Sequence, residues 1–231
     1  MMESRNLKEL ARGMAGGLPI ALGYAAVSFS LGILMRNAGL DPVHGLIMSL
    51  LNNTSAGEAA ALGIIASGGG YIELALSQLV INLRYALMAA ALSLHLSSTL
   101  SLPRRALVGF DITDEVFALL VSQPRPVSEF YAYGIALVTI PCWAAGSALG
   151  IIFGDILPSS LVSALSVALY AMFVAVVIPP ARRQWRILVL VIVSMAASWL
   201  VDSVMTSGVK TIVLTVAISA LAALVWPVEE L

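Results

Sequence analysis

The sequence predicts an all-α fold: a polytopic integral membrane protein, one transmembrane domain over residues 1–231, with about six spanning helices plus two broken or re-entrant segments. Three observations predict it. Of 231 residues, 60% are hydrophobic and only 11% charged, against roughly 25% charged in soluble domains. The apolar residues fall into blocks near the roughly 20 residues that a spanning helix needs, parted by short runs of Pro, Gly and charge. Two blocks carry polar residues at their centres, around Asn53 and around Thr113. One acidic side chain at a helix centre costs roughly 2.5 to 3.5 kcal/mol, a cost a chain keeps where the segment lines a cavity in which something polar binds or passes.

The first block, residues 13–35, follows an amino-terminal stretch carrying Arg5, Lys8 and Arg12. It is too long for a signal-peptide core and lacks a cleavage site, so it reads as a retained first span. Pro19 removes an amide and predicts a kink. Asp41-Pro42 is a helix-start signal, and the block it opens, residues 45–67, is interrupted at Asn52-Asn53-Thr54-Ser55 and Glu58 before Gly68-Gly69-Gly70 ends it. Residues 71–96 form the next hydrophobic stretch and contain Glu73, Gln78, Asn82 and Arg84; residues 97–105 read as a loop closed by Pro103-Arg104-Arg105. Residues 106–122 are short, with Asp111, Thr113, Asp114 and Glu115 in the middle, and Pro124 and Pro126 mark a connector. Residues 130–153 span, with Gly146, Gly150 and Gly154 as a close-packing stripe. A span over 157–178 ends at Pro179-Pro180, and two last spans, 187–204 and 209–226, precede a polar tail.

Charge fixes the order of crossings. The basic groups are the amino terminus, Arg104-Arg105, and Arg182-Arg183-Arg186. Placing all three in the cytoplasm requires an even number of crossings between each pair. Three apolar segments lie in each interval, so one in each must fail to cross: the interrupted segment near Asn53, and the short acidic one near Thr113. An ordinary crossing with Arg104-Arg105 outside is the alternative. A short echo links Leu31-Gly32-Ile33-Leu34-Met35 before Pro42 to Leu149-Gly150-Ile151-Ile152-Phe153 before Pro158, and transporters are often built from repeats with the site between them.

Three constellations can carry chemistry. Where a helix breaks at Asn52, Asn53, Thr54 and Ser55, amides at one half-helix end favour a carboxylate and carbonyls at the other favour an ammonium. That pairing suits a small zwitterion such as an amino acid, and Glu58 beside it suits a proton carrier. The plain reading is that the asparagines cap half-helices and Glu58 pairs with a basic residue such as Arg84. Asn82 and Arg84 form the second group: a guanidinium inside a span faces a partner or water, here a substrate carboxylate or a neighbouring acid. Asp111, Thr113, Asp114 and Glu115 form the third; Thr113 or Asp111 would cap a helix, or the acids would gate a cavity, with Asp114 a second proton-coupling group. His44 and His95 stand alone without metal-type spacing, Ser55 has no nearby base, and no phosphate loop follows a strand. These features predict no enzyme, no metal and no cofactor. Scattered basic residues at net charge −1 predict no nucleic-acid partner, and the single cysteine, Cys142, rules out an internal disulfide.

On these residues the chain resembles the AzlC family, the large subunit of branched-chain amino-acid exporters. The resemblance rests on Gly17-Leu18-Pro19-Ile20 with Gly23-Tyr24, the small-polar break over 49–60, and Asn82-Leu83-Arg84. Further matches are Phe110-Asp111-Ile112-Thr113-Asp114-Glu115-Val116-Phe117, Trp143 with Gly146 and Gly150, and Ala168-Leu169-Tyr170-Ala171-Met172-Phe173. It implies export of branched-chain or similar hydrophobic amino acids and a small, separately encoded AzlD-like membrane subunit. Three positions depart: the family's Ala-Gly-Ser-Ala-Gln-Phe is here Asn53-Thr54-Ser55-Ala56-Gly57-Glu58, the histidine after Asn-Leu-Arg is Tyr85, and an aspartate common in the family is Ser166.

The resulting expectation is a proton-coupled permease of the cell inner (plasma) membrane with both termini cytoplasmic. Asn52, Asn53, Thr54, Ser55, Asn82 and Arg84 are assigned to substrate, Glu58 and Asp114 to protons, and Asp111, Thr113 and Glu115 to gating or capping. Its partners are the lipid bilayer, a small amino acid and an AzlD-like subunit, with a homo-oligomer left open. The alternative is a non-transporting membrane scaffold for a small partner protein.

Overall fold

The computed structural model describes residues 2–154, 156–158, 160, 167, 174, 177–179 and 181–226. Among them the chain is all-α, with no strand. The helices are α1 (Met2–Asn37), α2 (Pro42–Asn52), α3 (Ser55–Ala66), α4 (Tyr71–Ser93), α5 (Leu102–Phe110), α6 (Asp114–Val121), α7 (Glu129–Phe153), α8 (Trp185–Leu200) and α9 (Ser207–Val225). Stretches within α1, α4, α7 and α9 are long and apolar enough to cross a membrane. The span expected over 157–178, with Ser166 and the 168–173 motif, lies mostly or wholly outside the described residues, as does the tail at 229–231.

α1 begins at Met2 and contains Pro19, so the amino-terminal basic residues ride on the first helix ahead of its apolar block. One local expectation needs correction. Pro103-Arg104-Arg105 do not close a loop; they form the first turn of α5, after Ser101 at the N-cap. Proline fits there because the first helical N–H groups lack partners anyway.

The core is the pair α1 and α7, packed side by side and parallel. Gly17 meets Ile135 near one end, and Gly32 meets Gly150 near the other. A Cβ added to Gly32 would lie 2.8 Å from Gly150 Cα, so glycine on both sides permits the approach. The two halves of the Leu31 and Leu149 echo are therefore neighbours.

Contacts along this pair set the height of every other element. At the α1 amino-terminal end, Arg12 donates to Gln123 (3.1 Å), Arg104 pairs with Glu129 (3.1 Å), and Arg125 meets His95 (2.5 Å). This is the basic end. At the far end, Arg36 donates to the Ile151 carbonyl (2.7 Å). From there α2 runs back along α7, with Gly45 beside Ile151 and Ser49 bonded to Ser147. α3 then returns along α4, with Gly57 against Gln78 and Asn82 and Ile64 against Gly69. The second hairpin mirrors the first: α5 starts beside Glu129 at the basic end, Asp111 reaches Thr139 at mid-height, and α6 returns to Gln123.

α9 packs along α4, its amino end held where Glu73 accepts from Val209 N (3.2 Å) and binds the Thr206 hydroxyl. α8 runs beside it, joined by Lys210–Asp202 (2.5 Å) at the turn and Trp185–Trp226 (5.6 Å) at the other end. That places Arg182, Arg183 and Arg186 toward the basic end too.

Candidate functional site

The two hairpin tips meet at mid-height. In the first, α2 ends at Asn53, whose backbone is left-handed (φ 30°, ψ 43°); asparagine tolerates that conformation better than most side chains. Thr54 then caps α3, its hydroxyl accepting from Gly57 N (3.3 Å). The second tip repeats the device. Asp111 closes α5, and Thr113 caps α6 by accepting from Val116 N (3.3 Å). Of the two capping alternatives, Thr113 takes the N-cap and Asp111 the C-cap. Across the junction, Asn53 Nδ2 donates to Asp111 Oδ1 (2.7 Å).

A cavity of about 170 Å³ opens beside this contact, lined by Asn53, Thr54, Ser55 and Ala56 from the first tip and Thr113, Asp114 and Glu115 from the second. Arg84 and Tyr85 of α4, Tyr24 of α1, Trp143 of α7, and Val177 close it. Arg84 pairs with Asp114 (2.6 Å), not with Glu58. Its other arm donates to the Tyr85 hydroxyl (3.0 Å), which in turn donates to Thr54 (3.1 Å). Tyr24 bonds the Thr113 hydroxyl and reaches Glu115 Oε2 (3.0 Å), with its ring edge-on to Trp143 (5.3 Å).

The remaining sequence-predicted residues sit behind the cavity wall. Asn82 accepts from the Thr54 hydroxyl (3.2 Å) and donates to Gln78, and Asn52 also donates to Gln78 (3.3 Å). Glu58 has no exposed surface. Trp143 Nε1 donates to its Oε1 (2.8 Å), and Ser49 donates to Oε2 (2.9 Å) while sharing a 2.7 Å hydrogen bond with Ser147. Asp111, 3% exposed, accepts from Asn53 and Thr139 (2.7 Å each). Among the described residues neither carboxyl group has an ion-pair partner. Apolar clusters flank the layer, one around Leu92, Leu120 and Ile135 toward the basic end, the other around Leu31, Leu62 and Ile151.

Sequence reasoning did not assign Tyr24, Tyr85 or Trp143 to the site, nor Ser49, Thr139 and Ser147 to its supports. A phenol and an indole with hydrogen-bonding capacity in the middle of apolar spans were the available signal for Tyr24 and Trp143. The hydroxyls gave none, because serine and threonine are ordinary residues in packed membrane helices.

Comparison with known proteins places this architecture. The sequence model of the family described as AzlC protein matches residues 19–157, which include both hairpins and α7. An uncharacterized membrane protein of Archaeoglobus fulgidus is 28% identical over 73% of this chain and 74% of its own. The inner membrane protein YgaZ of Escherichia coli is 27% identical over 74% of this chain and 73% of its own, and an uncharacterized membrane protein of Helicobacter pylori is 26% identical over 60% and 61%. No solved structure matches the chain. With a family match across the residues that build both tips, α7 and the second half of α1, the chain belongs to the AzlC family of membrane proteins.

Proposed function

We propose that this protein is a proton-coupled transporter that exports branched-chain or similar hydrophobic amino acids, bound at the meeting point of two half-membrane hairpins. The observation that carries the reading is the cavity lining. Ser55 and Ala56 precede the first backbone hydrogen bond of α3, from Glu58 N to Thr54 O, so their N–H groups lack helical partners and favour a carboxylate. Asp114 and Glu115 offer oxygens to an ammonium across the same space. Tyr24, Trp143 and Val177 offer apolar surface to an aliphatic side chain. The size is suitable: cavities of roughly 150 Å³ accept benzene, so about 170 Å³ accommodates a small amino acid.

On this reading the basic end faces the cytoplasm. With the span that the sequence predicts over 157–178, the chain makes six crossings, and each hairpin enters and leaves on its own side. Glu58 is the proton carrier. As an anion without a cation it would be costly to seal from water. As an acid it donates to Ser49, which can then donate to Ser147, so its hydrogen bonds survive in reversed order. Asp114 is the second protonatable group; Arg84 holds it until the substrate ammonium takes its place, which frees the guanidinium for the substrate carboxylate.

The test is counterflow of radiolabelled leucine and valine in proteoliposomes, with this chain alone and with an AzlD-like subunit. Saturable counterflow in either preparation supports transport, and flux only with the partner shows that the assembly is the working unit. Folded, inserted protein with no flux in either sinks the reading in favour of a scaffold.

A further inference from the structure

We propose that a monovalent cation, sodium by ligand type, binds where the two hairpin tips touch, held by Asn53 Oδ1, the Asp111 carboxylate and carbonyl groups of the last turns of α2 and α5. No flux or amino acid is needed to observe this site, so it stands apart from the transport reading.

Three observations converge on the junction. Asn53 closes α2 and Asp111 closes α5, so two helix carboxyl-terminal ends point at one place. Each such end carries partial negative charge from carbonyls without helical partners. Between them lies Asp111, 3% exposed, with no ion-pair partner among the described residues. Finally, Asn53 Oδ1 is buried with no hydrogen-bond donor, although Asn53 is only 8% exposed and buried acceptors are nearly always satisfied. Its amide orientation is fixed by the neighbour: Nδ2 donates to Asp111 Oδ1, which leaves Asn53 Oδ1 with its lone pairs free.

The alternatives fit less well. A proton on Asp111 Oδ2 would satisfy the carboxyl, donating to Thr139 while that hydroxyl turns to the Ile135 carbonyl (3.0 Å). It would still leave Asn53 Oδ1 without a donor. A substrate ammonium cannot reach an atom this enclosed while the tips touch. A divalent ion is undercharged by one carboxylate, and no group of three or more His, Cys, Asp or Glu side chains gathers among the described residues. Oxygen-only ligands at half-helix carboxyl ends are the donor set that holds sodium in broken-helix membrane sites.

The experiment measures thermal stability of the purified full chain, without amino acids, in sodium, potassium, lithium and choline chloride at constant ionic strength, together with radioactive sodium binding by equilibrium dialysis. The expected result is a saturable, sodium-selective rise in Tm, with about one sodium bound per chain at saturation. Asp111→Asn is expected to weaken that binding by about tenfold or more, a loss of about 1.4 kcal/mol. Equal responses to all four salts with no sodium bound by the wild-type chain overturn the proposal, whatever the variant does. Stability that follows pH but not sodium overturns it in favour of a proton alone.

Discussion

Glu58 is closed in by an indole N–H on one oxygen and a serine hydroxyl on the other, and the two substitutions that remove its charge should part company. Glu58→Gln keeps an oxygen for Trp143 and offers an N–H to Ser49, so it should insert and fold while losing proton-dependent flux. Glu58→Ala strands the buried Trp143 N–H, while Ser49 can still donate to Ser147, and should cost about 1–3 kcal/mol, read as a lowered Tm. Arg84 and Asp114 behave differently. Their side chains are 39% and 37% exposed, and pairs that open to solvent contribute about 0–1 kcal/mol. Arg84→Gln should therefore leave Tm nearly unchanged and weaken amino-acid binding in calorimetry; a large loss of stability with binding intact would assign Arg84 to structure alone. The polar residues at both tips were legible because amides, hydroxyls and acids have no cheap place inside an apolar run. Their partners were not. Glu58 meets Trp143 and Ser49, and Arg84 chooses Asp114, through contacts between distant segments that no local pattern encodes.

At the level of helices, the interruptions themselves mark where α2 gives way to α3 and α5 to α6, since Thr54 and Thr113 are both N-cap residues and threonine favours that role. The start of α5 was illegible for the opposite reason: Pro-Arg-Arg has the composition of a loop, yet proline at a first helical turn costs nothing. The echo between Leu31 and Leu149 carried real information about packing, because the repeated glycine lets two parallel helices approach along the same face. Gly150→Leu should force α1 and α7 apart, since even a Cβ there would lie 2.9 Å from Gly32 Cα. Overpacking of this kind costs about 1–3 kcal/mol or more, to be read as a lower midpoint of thermal unfolding in detergent. Gly23→Ala, with open space around its Cβ, is the matched control and should change the midpoint far less.

For the molecule as a whole, the arithmetic of basic groups and crossings used charge alone, and the side-chain contacts gather Arg12, Arg104, Arg105 and Arg125 at one end independently of it. Orientation follows as a prediction. In a Cys142→Ala background, Ser98→Cys should react with an impermeant maleimide only in inside-out vesicles, and Asn37→Cys only in right-side-out ones; the reverse pattern would invert the topology. The same charge count already puts the two short hairpins on opposite faces; what it could not reveal is that they stop against each other. On the transport reading, the seal between the compartments includes the Asn53–Asp111 contact, which each hairpin reaches from its own side. Withdrawing one arm would unseal only the face it came from, while the other arm stays as the stopper. Spin labels on α1 and α7 should then keep a constant separation through the cycle, while labels on α2 and on α5 move against α7 in turn and never together. Such a machine works like a canal lock, whose gates stand still in a rigid frame except for the one being opened.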